Sequence, residues 1–215
     1  MNALAGIVLV LASSLALAQG SHHTHQHRFD NAERWAKAFD DPARDAWQKP
    51  ADVVRALGLA PDAAAADIGA GTGYFAVRLA RALPKGKVYA VDLEQDMLRH
   101  LGERARKEGL ANLVPVQGAP DTPNLPERVD LVLMVDTAHH IDQRRAYFQR
   151  LREGLSPGAR VVVIDFTPES TIGPPPAARL PEATLHAELV EAGYRRVATH
   201  GFLPHQYFVV YQVPH

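Results

Sequence analysis

The segment Asp67-Ile68-Gly69-Ala70-Gly71-Thr72-Gly73-Tyr74 restricts what this chain can fold into more than any other stretch. A small-residue apolar run over 63–68 precedes it and reads as a buried strand; a run over 74–83 follows, with Phe75, Leu79 and Leu83 on one helical face. Glycines at alternate positions let the backbone turn tightly and let a ligand approach with no Cβ in the way. The start of the helix leaves N–H groups free to meet that ligand. A dinucleotide fingerprint runs G-x-G-x-x-G, whereas here Tyr74 stands where the third glycine would fall. Asp67, two positions before the first glycine, suits an ammonium-bearing ligand better than a pyrophosphate. The alternative is a glycine-rich turn that holds no ligand.

The rest of the chain repeats the alternation of strand and helix. Further strands are expected over 87–91, ending at Asp92, and over 113–117, 129–135, 160–166, 195–199 and 206–212. Helices are expected over 28–39, from Pro50 to near Gly58, over 94–108, from an Asp142 cap to Gly154, and over 181–192. Pro174-Pro175-Pro176 reads as a rigid crossover. The 129–135 run is almost wholly apolar, as a parallel strand covered on both faces should be. The pattern predicts a Rossmann-like, doubly wound α/β fold with a mostly parallel sheet. Ligands of such sheets sit outside the carboxyl ends of the strands, where Asp67, the glycines and Asp92 would gather. Asp92 can accept hydrogen bonds from both hydroxyls of a ribose; it can also serve as a helix N-cap before Leu93-Glu94, with Glu94 as a second acceptor.

The amino terminus reads as an address. Residues 3–17 are apolar apart from Ser13 and Ser14, and Ala16-Leu17-Ala18 places small residues where a signal peptidase needs them. A signal peptide over 1–18 predicts a periplasmic or secreted protein with no membrane contact after cleavage; no Lys or Arg precedes the apolar run, and a signal that does not function would leave the protein cytoplasmic. Residues 19–27 hold His22, His23, His25 and His27, a disordered tail or a metal-binding tract, ahead of a single domain over 28–215. The net charge of −1 lacks the basic excess of a nucleic-acid binder. The absence of cysteine removes disulfides, thiolate metal sites and cysteine nucleophiles.

Taken together, 67–74, Val88-Tyr89-Ala90-Val91-Asp92, Val129-Asp130-Leu131-Val132-Leu133, His139-His140-Ile141 and the turn 155–163 resemble the class I S-adenosylmethionine-dependent methyltransferases. The resemblance runs from about Trp35 to the carboxyl terminus and implies a seven-stranded sheet with an antiparallel last strand. It implies S-adenosylmethionine as cofactor, with Asp67, Gly69, Ala70, Gly71 and Gly73 under the methionine moiety, Asp92 on the ribose and Leu93 on the adenine. Asp121 lies where the family often has a carboxylate for the adenine amino group, but Gly118-Ala119-Pro120 replaces the usual Gly-Asp-Ala. Asp136, ending the fourth strand, would face cofactor and substrate. His139 and His140 follow it, where a general base for a small-molecule acceptor would stand, unless one of them merely packs or caps. Gly173–Pro176 and the aromatics Phe202, Tyr207, Phe208 and Tyr211 would cover the pocket or simply fill the core. No metal is expected in the domain. The competing reading is a non-catalytic nucleoside- or metal-binding protein on the same scaffold.

Overall fold

The computed structural model describes residues 31–214. The expected signal peptide (1–18) and histidine tract (22–27) lie outside the described residues. Among those described, no helix is long and apolar enough to cross a membrane.

Three short helices, α1 (Ala32–Phe39), α2 (Arg44–Gln48) and α3 (Pro50–Leu57), lead into β1 (Ala64–Ile68), α4 (Ala76–Ala82), β2 (Lys87–Asp92), α5 (Gln95–Lys107) and β3 (Leu113–Gln117). Then come β4 (Val129–Val135), a 3-10 turn at Ala138–His140, α6 (Arg144–Leu151), β5 (Leu155–Phe166), α7 (Glu182–Glu191), β6 (Arg195–His200) and β7 (Gln206–Gln212). They form one seven-stranded sheet in the order β3-β2-β1-β4-β5-β7-β6. β7 runs antiparallel to both β5 and β6, and the other pairs are parallel. The fold is the Rossmann-like doubly wound one. Strand order reverses at β1, and a crevice between β1 and β4 follows from that reversal at the carboxyl edge.

Successive side chains of a strand face opposite sides, so each strand feeds two cores. Ala65, Leu131, Leu133, Val162, Ile164 and Phe208 pack against α3, α4 and α5. Ala66, Val132, Met134, Val163, Tyr207 and Val209 pack against α6 and α7. The last strand's aromatics are therefore core: Phe208 and Tyr211 are fully buried, Tyr207 nearly so, and only Phe202 is half-buried.

Several boundaries differ from expectation, each for a local reason. α4 starts at Ala76 instead of 74, because Gly69, Gly71 and Gly73 all take positive φ (74°, 54° and 94°) and spend the intervening residues on turns. The helix after β4 takes Gln143, not Asp142, as N-cap, since the 3-10 turn at Ala138–His140 occupies the entry. β5 starts at Leu155, before the Pro157-Gly158 break: Leu155 pairs with Val129, the register then shifts, and pairing resumes at Arg160 opposite Leu131. α2 was unforeseen; five residues are too few to show a helical period.

Candidate functional site

The glycine loop is stitched to the end of β2. The N–H groups of Gly69 and Ala70 both donate to the Val91 carbonyl (2.8 and 2.9 Å). The Gly71 N–H donates to Asp92 Oδ2 at 2.8 Å, and the Glu94 N–H to Asp92 Oδ1 at 3.0 Å. Each carboxylate oxygen has a second lone pair, so Asp92 fixes the loop and still has acceptors for a ligand. Burial raises its pKa, and the bonds from Glu94 and Gly71 oppose that. Leu93 beside it keeps 50% of its surface exposed, next to Gly118, where a Cβ would lie 3.0 Å from Val91.

Asp67 is buried, and its carboxyl is pushed up to about 7 by that burial, with the neighbouring Asp92 charge adding to the rise. The Ala76 N–H and the Arg44 charge pull the other way. The two carboxylates thus feel one another across the loop. In the same loop Thr72 is 1% exposed and its Oγ1 has no hydrogen-bond partner. A buried unpaired hydroxyl is costly, and three positive-φ glycines make a cradle that side chains would fill. Acceptors suited to an ammonium and a ribose, with a spare hydroxyl in the same loop, fit an aminoacyl nucleoside. At Gly69 a Cβ would fall 2.3 Å from Thr137 Oγ1. Gly69→Ala is therefore expected to cost about 2–4 kcal/mol of stability in urea denaturation; a loss below about 0.5 kcal/mol would contradict this packing.

Helices α1 and α2 lie across the loop as a strap. The Phe39 ring stands 3.4 Å from the Cβ position of Gly71, and Asp40 pairs with Arg104 (2.9 Å), which also donates to the Thr72 carbonyl. Arg44 stacks over the Tyr74 ring at 4.1 Å, Arg78 over it at 4.0 Å, and Asp45 accepts from the Tyr74 hydroxyl and from Arg78. Apart from the Arg78–Tyr74 pair, four residues apart, none of these contacts was legible in sequence, since each joins residues far apart in the chain.

At the end of β4, Asp136 takes a left-handed conformation (φ 55°), which Asp tolerates better than most residues. Its Oδ1 accepts from Gln206 Nε2 at 2.5 Å, and its Oδ2 faces Gln48 Nε2 and Arg44 Nη2 at 3.4 and 3.5 Å. Burial and the Asp165 charge push this carboxyl up to about 6, against Arg44, Gln48 and His139. His139 Nδ1 lies 2.9 Å from both oxygens of Asp165, a fully buried residue that also accepts from the His139 and Phe166 backbone N–H groups. Burial lowers the His139 pKa, but the bond and charge of Asp165 outweigh it and the net shift is upward. A carboxylate on Nδ1 keeps the proton there and leaves Nε2 as the acceptor. His140 is exposed, its ring 4.0 Å from that of His139.

The structure brings Asp67, the glycines, Asp92, Asp136 and His139 to one edge. It leaves His140 at the rim and pairs Asp121 Oδ2 with Arg150 of α6 (2.9 Å), both side chains half exposed. Asp165 was missed. Its signal was a lone acid in an otherwise apolar strand, Val161-Val162-Val163-Ile164-Asp165-Phe166. Arg44, Gln48 and Gln206 carried no such signal. Among the described residues no cluster of His, Asp or Glu could hold a metal ion.

Residues 65–158 match a family described as a methyltransferase domain. The chain is 29% identical over 123 residues to the ubiquinone/menaquinone biosynthesis C-methyltransferase of Syntrophotalea carbinolica, covering 54% of this chain and 48% of that protein. It is 22% identical over 154 residues to a demethylmenaquinone methyltransferase of Anoxybacillus flavithermus, covering 71% and 64%. The first match thus spans about half the length of that relative. A SAM-dependent methyltransferase structure from Aquifex aeolicus superposes with a TM-score of 0.79 at 26% identity, covering 86% of this chain and 99% of that one. The magnesium protoporphyrin IX methyltransferase of Synechocystis, solved with bound SAH, shares the fold alone (TM-score 0.66, 18% identity, 85% and 93% covered).

Proposed function

From a methyltransferase domain of the S-adenosylmethionine-dependent kind, we propose that this chain moves a methyl group to a small organic acceptor whose hydroxyl proton is first removed by His139. The carrying observation is the shared edge: two carboxylates flank a glycine cradle with an unpaired buried hydroxyl, and a His139–Asp165 pair stands at the next strands. The similarity to quinone C-methyltransferases favours phenolic, quinol-type acceptors. When bound, S-adenosylmethionine supplies a methyl carbon on positive sulfur, and the carbon–sulfur electron pair returns to sulfur as the new bond forms.

The chain's own residues supply placement and proton transfer. Asp67 would hold the ammonium, Asp92 the ribose hydroxyls, and Leu93 the adenine face. Arg44 of the strap, a buried cation that feels the Asp136 and Asp67 charges, would add positive charge for the carboxylate of the methionine moiety. Asp165 would hold His139 so that Nε2 takes the acceptor's proton and later yields it to water. Asp136 would fasten the strap through Gln48, Arg44 and Gln206 and so keep water out.

Calorimetry with S-adenosylmethionine and S-adenosylhomocysteine tests the reading. Asp92→Ala should raise the dissociation constant about 100-fold, because two charge-assisted bonds are lost. A folded wild-type protein that binds neither nucleoside would favour the non-catalytic scaffold. Export by residues 1–18 belongs to the same proposal, and amino-terminal sequencing of the mature protein checks it.

A further inference from the structure

One aromatic cluster at the carboxyl edge lies outside the residues assigned above to the cofactor. Trp47 of α2 lies over Phe166, the last residue of β5, with ring centroids 5.7 Å apart and 39° between planes. The His205 ring meets the same Trp47 edge-on at 6.3 Å and 75°. Phe166 follows Asp165 directly, and Gln48, which bonds the Asp136 network, follows Trp47. Phe166 also pairs across the sheet with Gln206, which bonds Asp136, so the cluster borders the Asp136 network, and Asp136 in turn feels the His139 and Asp165 charges.

Phe166 is buried, but Trp47 and His205 both stay partly exposed. Behind them the 167–175 loop is drawn in by one side chain: Arg179 donates to the carbonyls of Pro174, Pro168, Ser170 and Ile172 at 2.9, 2.8, 2.7 and 3.2 Å. Gly173 (φ 89°) lies flat on Phe166, where a Cβ would come within 2.6 Å of the ring. The backing is thus rigid, and the Arg179 guanidinium behind it is spent on backbone carbonyls. What this wall presents is ring surface, not charge.

We propose that Trp47 and His205 form the seat of the acceptor, and that the acceptor is a flat aromatic or quinol ring stacked on Trp47 with its hydroxyl toward His139. This rests on the methyl-transfer reading above. Ring stacking favours flat faces at offset or edge-on geometry, and its loss is worth roughly tenfold in affinity.

The chain has two tryptophans, so Trp35→Phe leaves Trp47 as the reporter. With S-adenosylhomocysteine present, 1,4-naphthoquinone should quench Trp47 fluorescence saturably. Trp47→Ala, followed by equilibrium dialysis of the same probe, should raise its dissociation constant roughly tenfold. The S-adenosylhomocysteine constant should stay within twofold, and Trp47→Phe should restore most of the probe binding. His205→Ala should weaken the probe as well. If Trp47→Ala leaves the probe unchanged, or weakens probe and nucleoside alike, Trp47 only fastens α2 and the seat is refuted. If the wild-type protein binds no S-adenosylhomocysteine, the methyl-transfer reading itself fails and the seat with it.

Discussion

Asp165→Asn should lower the rate of methyl transfer by about 10²–10⁴-fold while leaving the affinity for S-adenosylmethionine unchanged. The carboxylate accepts from His139 Nδ1 through both oxygens and from two backbone N–H groups, so it sets which ring nitrogen carries the proton. An asparagine of the same volume offers one oxygen in place of two. It can turn its amide toward the ring, and the proton then moves to Nε2, where it blocks the acceptor. The charge of Asp165 also helps to hold the His139 pKa above its ordinary value, so the rate of the unmutated protein should climb through an acidic limb above pH 6.5. In the variant that limb should move to lower pH. Single-turnover rates at saturating cofactor across pH 5.5–9, with a simple hydroquinone as acceptor, read both effects. An unchanged rate and limb would remove His139 from proton transfer.

Asp67→Asn should weaken cofactor binding and at the same time stabilise the empty protein. The Asp67 carboxyl sits at about 7 because burial penalises its charge. A carboxyl with a folded pKa above its unfolded value stabilises the fold at low pH, and that contribution is lost as pH rises through the folded pKa. For Asp67 the loss runs from about 4 to about 7 and amounts to roughly 4 kcal/mol. Above pH 7 the empty protein therefore holds an ill-solvated carboxylate, which a ligand ammonium would relieve. The cofactor should bind about eightfold more tightly at pH 7.5 than at pH 6, since the ionised fraction rises by that factor across a pKa near 7. Asp67→Asn should flatten this profile and raise the apparent melting temperature at pH 8. A pH-independent affinity in the native protein would separate Asp67 from the ammonium.

The site was legible where local chemistry dictates local geometry. Gly69, Gly71 and Gly73 announce a backbone that side chains cannot follow, and all three adopt positive φ. Asp67 and Asp92 announce themselves by standing at strand ends on either side of that turn. The histidine after β4 was equally visible, but its partner was only half visible: Asp165 is an acid inside an apolar strand, and nothing in its neighbours says which histidine it meets. The α2 half of the strap was not legible at all. Arg44, Gln48 and Trp47 look like ordinary residues of a short polar segment until α2 is laid across Tyr74, Asp136 and Phe166.

By itself, then, the order of residues determined the alternation of strands and helices, the turn that can cradle a nucleoside, and the acids at its rim, because each follows from spacing within a few residues. Tertiary structure alone decided which histidine faces a carboxylate, that Asp121 goes to Arg150, and that the carboxyl-terminal aromatics Phe208 and Tyr211 fill the core while Trp47 lines the edge. Those outcomes depend on pairing across β4, β5 and β7 and on the docking of α2, contacts between residues up to 158 positions apart that no local pattern encodes.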